Sequence, residues 1–325
     1  MQRSVDWFRG QGQGKLPAGG LKRICLDSGQ EGPTVVVVGG VHGDELTGMA
    51  VWEPLESALG EQMLCGKVVG IPCANPEGLV RYSRVIPGDE VDLNRCFPGN
   101  PYGSRGEQLA NGLWAMLGEA RPDLVLDLHS DSAHAIPYAI VDRDVSHEGE
   151  VRTRLEGRMK HLAAASGFFW IWEYPDEVYR RSGLERSLSG SVVNTLGLPA
   201  ITLEVGPKAQ VDPASVQAML GGVLGVLSAM GMVHSDITSA PIATAEYRRE
   251  SAPRCERGGL LFPMVLPGEA FQRGDALGHI RQIGGEIVET LYAANTGKVL
   301  SWSQAGWLQA GQITGTLAVV DRENF

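Results

Sequence analysis

The 325-residue sequence contains no Cys-x-x-Cys pair. Its five cysteines, Cys25, Cys65, Cys73, Cys96 and Cys255, are odd in number and widely spaced. That argues against a disulfide framework or a cysteine-built zinc site and for reduced thiols. There is no run of Lys or Arg longer than two residues, and the formal charge is -10. Phosphate binding needs clustered cations, so a nucleic-acid surface is excluded, whereas a small or cationic partner is not. No segment approaches the ~18 consecutive apolar residues that span a bilayer. The opening segment lacks an apolar stretch of signal-peptide length. The expectation is a cytoplasmic protein with no membrane or nucleic-acid partner, for which homo-oligomerisation is left open. Tandem repeats and low-complexity tracts are also missing.

What is present suits a globular chain, with 43% hydrophobic and 20% charged residues. That is enough for one large core and a smaller accessory unit. Val/Ile/Leu-rich runs at Thr34–Val38, Lys67–Pro72, Asp123–Leu128, Ile136–Val141 and Pro199–Val205 read as strands buried on both faces. Helical patterns lie between or after them, at Leu46–Leu59, Gly106–Glu119, Glu148–Ser166 and Pro213–Met230. The fold class is therefore α/β, a sheet covered by helices. Past residue 233, Gly, Pro, Thr and short alternating runs take over. Ser251–Val320 reads as a small all-β unit with turns at Pro267-Gly268, Arg273-Gly274, Gly284-Gly285, Thr296-Gly297 and Ala310-Gly311. The boundary falls at about 235–250, giving a catalytic domain over 1–240 and an accessory β domain over 241–325.

The first chemical feature is Gly39-Gly40-Val41-His42-Gly43-Asp44-Glu45, a turn between a strand and a helix. Such a turn brings His42 and Glu45 to the carboxyl edge of the sheet, where open α/β folds gather their sites. A surface or capping histidine is the competing reading of this pair alone. A catalytic zinc site needs a third ligand and leaves a position for water. His129, ending the strand in Asp127-Leu128-His129-Ser130, reaches the same edge and completes a His-Glu-His set. Glu204 ends the last strong strand, in Leu203-Glu204-Val205-Gly206-Pro207. A carboxylate between Leu and Val needs a partner or a task, and beside an activated water it serves as general base. The loop from Arg84 to Gly99 adds Arg95, suited to gripping a carboxylate, and Arg84, suited to an oxyanion. An ordinary salt-bridged surface loop is the alternative.

Taken together, GGVHGDE at 39–45, NPEG at 75–78, VDLNRCFPG at 91–99, DLHS at 127–130 and LEVGP at 203–207 resemble the succinylglutamate desuccinylase and aspartoacylase family. This family is a branch of the zinc carboxypeptidase superfamily, and the likeness runs from about residue 30 to 210. The resemblance implies a mixed sheet sandwiched between helices. It also implies one zinc ion per chain on His42, Glu45 and His129, with Glu204 as general acid and base. Arg84 would polarise the carbonyl, Asn94 and Arg95 would hold a substrate carboxylate, and Asp92 would orient the first histidine from behind. The implied reaction is attack of zinc-bound water on the amide of a small N-acyl amino acid. Near Ser189–Pro199 the sequence has Asn194 and no arginine where aspartoacylase grips a second carboxylate, which argues against N-acetylaspartate.

Residues 258–320 resemble the sandwiched barrel of biotinyl and lipoyl carrier domains. The hairpin between their halves, Gln282-Ile283-Gly284-Gly285-Glu286, has no lysine for cofactor attachment, and Lys298 reads as a surface residue. The family resemblance implies that this unit narrows access to the metal, with His234 and His279 as candidates to approach it. Two other functions compete with a deacylase: a metallocarboxypeptidase acting on peptides, and a binding protein that keeps the fold without catalysis.

Overall fold

The computed structural model describes residues 1–8, 20–234, 246–304 and 306–321. The expected boundary at 240/241 lies outside the described residues. The valines of Val35–Val38 are essentially inaccessible, as an uninterrupted apolar run in an inner strand must be. Burial of each such side chain contributes roughly 1.5–3 kcal/mol.

The strands form a 12-stranded sheet and a 4-stranded sheet. Across the larger sheet the order is Gln2–Phe8, Leu21–Asp27, Lys67–Ile71, Thr34–Gly39, Leu124–His129, Ala200–Glu204, Tyr138–Val141, Phe169–Trp172, Tyr247–Ser251, Gly315–Val320, Gly297–Trp302 and Ala270–Phe271. Strands 67–71, 34–39, 124–129 and 200–204 are mutually parallel, so their carboxyl ends share one rim. Gly39 is level with Leu128, and His129 with Glu204. Tyr138–Val141 runs antiparallel to Ala200–Glu204, starting level with Glu204 at the rim and running away from it. The sheet is therefore mixed, with helices Trp52–Gln62, Arg105–Ala120, Gly149–Ala165 and Pro213–Ala229 packed around it.

The expected helix Leu46–Leu59 is two pieces, Thr47–Ala50 and Trp52–Gln62. Strands Gln2–Phe8, Leu21–Asp27 and Phe169–Trp172 were not anticipated. The first of these is exposed along nearly its whole length, with only Phe8 buried.

The C-terminal part is antiparallel β structure, as its turn pattern predicts. Four of its strands prolong the large sheet, joining it where Trp172 pairs with Arg248. The others, Ile287–Tyr292, Ala276–Arg281, Gly259–Pro263 and Trp307–Leu308, make the second sheet. Tyr138, Ile140 and Ile171 share a buried cluster with Leu300 and Ala318, so the two parts of the chain pack as one body. Among the described residues, no helix is long and apolar enough to cross a membrane.

Candidate metal centre and substrate cavity

The turn after strand Thr34–Gly39 is shaped by close packing. A β-carbon on Gly43 would lie 2.0 Å from the carbonyl carbon of Gly78, so only glycine fits there. Gly78 belongs to the NPEG segment, in which the Asn75 side chain caps helix Pro76–Arg81 by accepting from the Gly78 N–H at 2.9 Å. The Gly43 N–H donates to the Ser83 carbonyl at 3.0 Å, closing the seat. The motif at 75–78 thus scaffolds the turn that carries His42 and Glu45.

His42, Glu45 and His129 converge, with ligand atoms all within 4.8 Å of one another, and all three are buried. His42 Nδ1 lies 2.9 Å from Glu45 Oε1, His129 Nδ1 lies 2.8 Å from Glu45 Oε2, and the two Nδ1 atoms are 3.2 Å apart. Each ring has a carboxylate behind it. His42 Nε2 is 3.1 Å from Asp92 Oδ1, and His129 Nε2 is 3.0 Å from Asp127 Oδ1, the latter a charge contact without hydrogen-bond alignment. A carboxylate only accepts, so Asp92 fixes the His42 proton on Nε2 and leaves a lone pair on Nδ1, and the charge of Asp127 favours the same tautomer at His129. Two lone pairs and a carboxylate then face one point, an arrangement that a divalent cation relieves.

A proton is the competitor for that point. Burial lowers the basicity of His129, but the charges of Asp127 and Glu45 outweigh it and hold the ring well above the ordinary histidine range. Burial likewise raises Glu45, but His42 and His129 overcome it and keep the carboxyl well below its usual range.

Asp92 ties several motif residues together. Its Oδ1 caps the short 3₁₀ turn Leu93–Arg95 by accepting from the Asn94 N–H at 2.9 Å. Its Oδ2 accepts from Arg84 Nε and Nη2 at 3.2 and 3.1 Å. Burial opposes its ionisation, but His42 and Arg84 hold it well below the usual carboxylate range. Arg84 Nη1 is 3.5 Å from Glu45 Oε1, which puts this arginine at the metal corner.

Asn94 and Arg95 line the same cavity. Asn94 Oδ1 accepts from the Leu188 N–H at 2.8 Å, leaving Nδ2 as its donor toward a ligand. Arg95 donates from Nε to the Ser182 carbonyl at 3.0 Å and from Nη1 to the Asn94 carbonyl. These bonds anchor its fork and leave Nη2 without a protein partner among the described residues. Glu204 lines the cavity as well. Burial pushes its carboxyl up to about 7, with Glu45 and Asp131 adding to the rise and His129 and Arg249 opposing it.

Asn194 is not part of this cavity. Its side chain donates to the Arg143 and Gly190 carbonyls and accepts from the Val145 N–H, so it ties loops together. Neither His234 nor His279 lines the cavity, and His279 bonds Thr290 instead.

Sequence reasoning missed six residues here. Asp127 lies two positions before His129 on the same strand face, a spacing that marks it as the partner of the ring. Lys208 follows the LEVGP motif, and its Nζ lies 3.6 Å from Glu45 Oε1. Gln304 brackets the Lys208 backbone, accepting from its N–H and donating to its carbonyl. Asp142, Glu173 and Arg249 line the part of the cavity farthest along strand Tyr138–Val141 from the rim. Two of them follow apolar strands just as Glu204 ends one, and that signal was available. Arg249 sits in the polar strand Tyr247–Ser251, which has no apolar pattern. The space within the cavity is about 110 Å³ and its lining is largely polar, which suits a small polar substrate.

The sequence model of the succinylglutamate desuccinylase/aspartoacylase catalytic domain matches residues 31–230. A curated relative, N-alpha-acetyl-L-2,4-diaminobutyric acid deacetylase from Halomonas elongata, is 28% identical over 256 residues, covering 77% of this chain and 71% of the relative. The crystal structure of a succinylglutamate desuccinylase/aspartoacylase from Rhodobacter sphaeroides superposes with a TM-score of 0.77 at 23% identity, over 98% of this chain and 96% of that one. The product-bound ectoine utilization protein EutE (DoeB) from Ruegeria pomeroyi superposes with a TM-score of 0.75 at 22% identity, over 93% and 91%. These structural likenesses carry the fold.

Proposed function

Because the chain belongs to the succinylglutamate desuccinylase/aspartoacylase family, we propose that it is a zinc-dependent hydrolase that cleaves the amide bond of a small N-acyl amino acid. The observation that carries this reading is the convergence of two imidazole Nδ1 atoms on one carboxylate, each ring backed by an aspartate, with Glu204 level with His129 on the adjacent strand. The curated deacetylase relative supports the choice of an acylated amino acid over a peptide.

His42, Glu45 and His129 would hold one zinc ion per chain. When bound, zinc polarises a carbonyl and lowers the pKa of water toward neutrality. The rest of the work falls to the protein. Glu204, half-buried at the end of its strand and level with His129, accepts a proton from the attacking water on its carboxylate and returns it to the amine nitrogen as the C–N bond breaks. Arg84, oriented by two bonds to Asp92, donates an N–H to the carbonyl oxygen as negative charge grows there. Asn94 Nδ2 and Arg95 Nη2 hold the carboxylate of the amino acid and so fix which amide reaches the site.

The test is a substrate panel with metal control. Protein stripped by a chelator and reloaded with zinc should release free amine from N-acetyl amino acids, and only after reloading. Release of C-terminal residues from short peptides with no deacylation would replace this reading with a carboxypeptidase. Activity indifferent to chelation and zinc would refute the metal.

A further inference from the structure

The cavity does not end at the metal corner. Ile140 pairs with Thr202 and Tyr138 with Glu204, so Tyr138, Ile140, Thr202 and Glu204 share one face of the sheet, and alternation puts Asp142 on it too. From the level of Glu204 to that of Asp142 is four residues, about 13 Å at the rise of an extended strand. Glu173 stands beside Asp142, because the Glu173 N–H donates to the Val141 carbonyl and continues the ladder between strands 138–141 and 169–172. Two carboxylates thus form the inner wall.

Their situations differ. Glu173 is matched: its Oε2 accepts from Arg249 Nη1 at 3.1 Å and its Oε1 from the Tyr174 N–H at 3.0 Å. Asp142 is only 3% exposed, and its Oδ1 accepts from the Tyr179 hydroxyl at 2.8 Å. Its Oδ2 has no protein partner, and the residue lines the cavity. No cation among the described residues touches it. A buried carboxylate in that state is costly unless something positive arrives. Arg95, the nearest candidate along this wall, is tethered to two backbone carbonyls and is committed to the substrate carboxylate in the reading above.

We propose that Asp142 is a specificity residue that seats a protonated amine on the substrate, so that the preferred substrates are N-acylated diamino acids bearing a free side-chain ammonium. The proposal rests on the deacylase reading and deepens it. The bound molecule is read as a zwitterion, its carboxylate on Arg95 and Asn94 and its ammonium on Asp142 Oδ2, with Glu173 and Arg249 closing the wall behind it. A neutral side chain of equal length would leave Asp142 buried and unmatched, and an anionic one would be repelled.

The experiment compares kcat/KM for Nα-acetyl diamino acids of increasing side-chain length with their isosteric neutral counterparts, N-acetylornithine against N-acetylnorleucine for example. Wild type and Asp142→Asn are measured on the zinc-loaded protein. A charge-assisted hydrogen bond predicts a preference of about 10- to 100-fold for the amine, collapsing toward unity in Asp142→Asn through KM. Asp142→Glu, which keeps the charge, should restore much of the preference and guards against a folding defect in the first variant. Equal rates on the two series, or a preference that survives Asp142→Asn, would overturn the proposal while leaving the deacylase reading intact. If no N-acyl amino acid is cleaved, that reading falls. Calorimetry then decides the amine seat directly: free ornithine binding no tighter than norleucine would overturn it.

Discussion

The two ends of the cavity satisfy their buried charges in opposite ways. At the metal corner every imidazole has a carboxylate at its back, and Asp92 alone serves His42, Arg84 and the turn that presents Asn94. At the inner wall Glu173 is matched by Arg249, whereas Asp142 has a single hydroxyl donor. The corner is completed by protein groups around a point that suits one cation. The wall, on the proposal above, is left for the substrate to complete. The difference teaches that, on the deacylase reading, the reaction would be set by preorganised protein contacts, while the choice among amides would rest on one carboxylate with few protein partners.

Three substitutions sharpen or break this contrast. The largest effect is expected from Glu204→Gln, which should lower kcat by about 10³-fold, the scale of a lost general base, with zinc content unchanged by metal analysis. A variant that keeps more than a tenth of the activity would remove Glu204 from the chemistry and leave the corner without its proton carrier. Asp92→Asn should come next. Loss of the carboxylate behind His42 is expected to weaken zinc binding about 10- to 100-fold in competition with a chelator. Unchanged affinity would mean that the corner is less preorganised than its contacts suggest.

The smallest effect is on stability and comes from Asp142→Asn. Burial, with Glu173 beside it, pushes the Asp142 carboxyl up to about 7, Asp127 adding to the rise while Tyr179 and Arg95 oppose it. Between about pH 4 and 7 the folded chain therefore keeps a proton that the unfolded chain has released. Stability falls as pH rises through that window. The asparagine variant should melt about 2–4 °C higher than wild type at pH 8 and with little difference at pH 4, by calorimetry. A lower melting point at pH 8 would show that Asp142 is already paired and would erase the contrast between the two ends.

Much of the corner was legible because its cues are local. GGVHGDE, DLHS and LEVGP each sit where an apolar strand meets a turn, and parallel pairing brings such ends to one rim whatever the details of the rest. The inner wall was illegible for the opposite reason. Asp142 and Glu173 also follow apolar strands, but nothing in one dimension says that Tyr138–Val141 runs against Ala200–Glu204, and that reversal alone carries Asp142 away from the rim along the sheet face. The strand with Arg249 lies beyond residues 235–245 and is polar throughout. By sequence Arg95 is suited to gripping a carboxylate, but backbone carbonyls of Ser182 and Asn94, fixed only by tertiary packing, occupy much of its fork.

The joint between Trp172 and Arg248 is a single ladder pair, the thinnest seam in a sheet whose other neighbours pair over two or more residues. Side chains carry the load there: a buried Arg143–Asp321 ion pair at 2.7 Å, the Trp172 indole on Glu246, and Arg249 on Glu173. Partial unfolding along this line would lift Arg249 from the wall and leave His42, Glu45 and His129 in place. In dilute denaturant, discrimination among substrates would then fade before turnover does, and amide exchange would be fastest in strand Tyr247–Ser251 among those bordering the cavity.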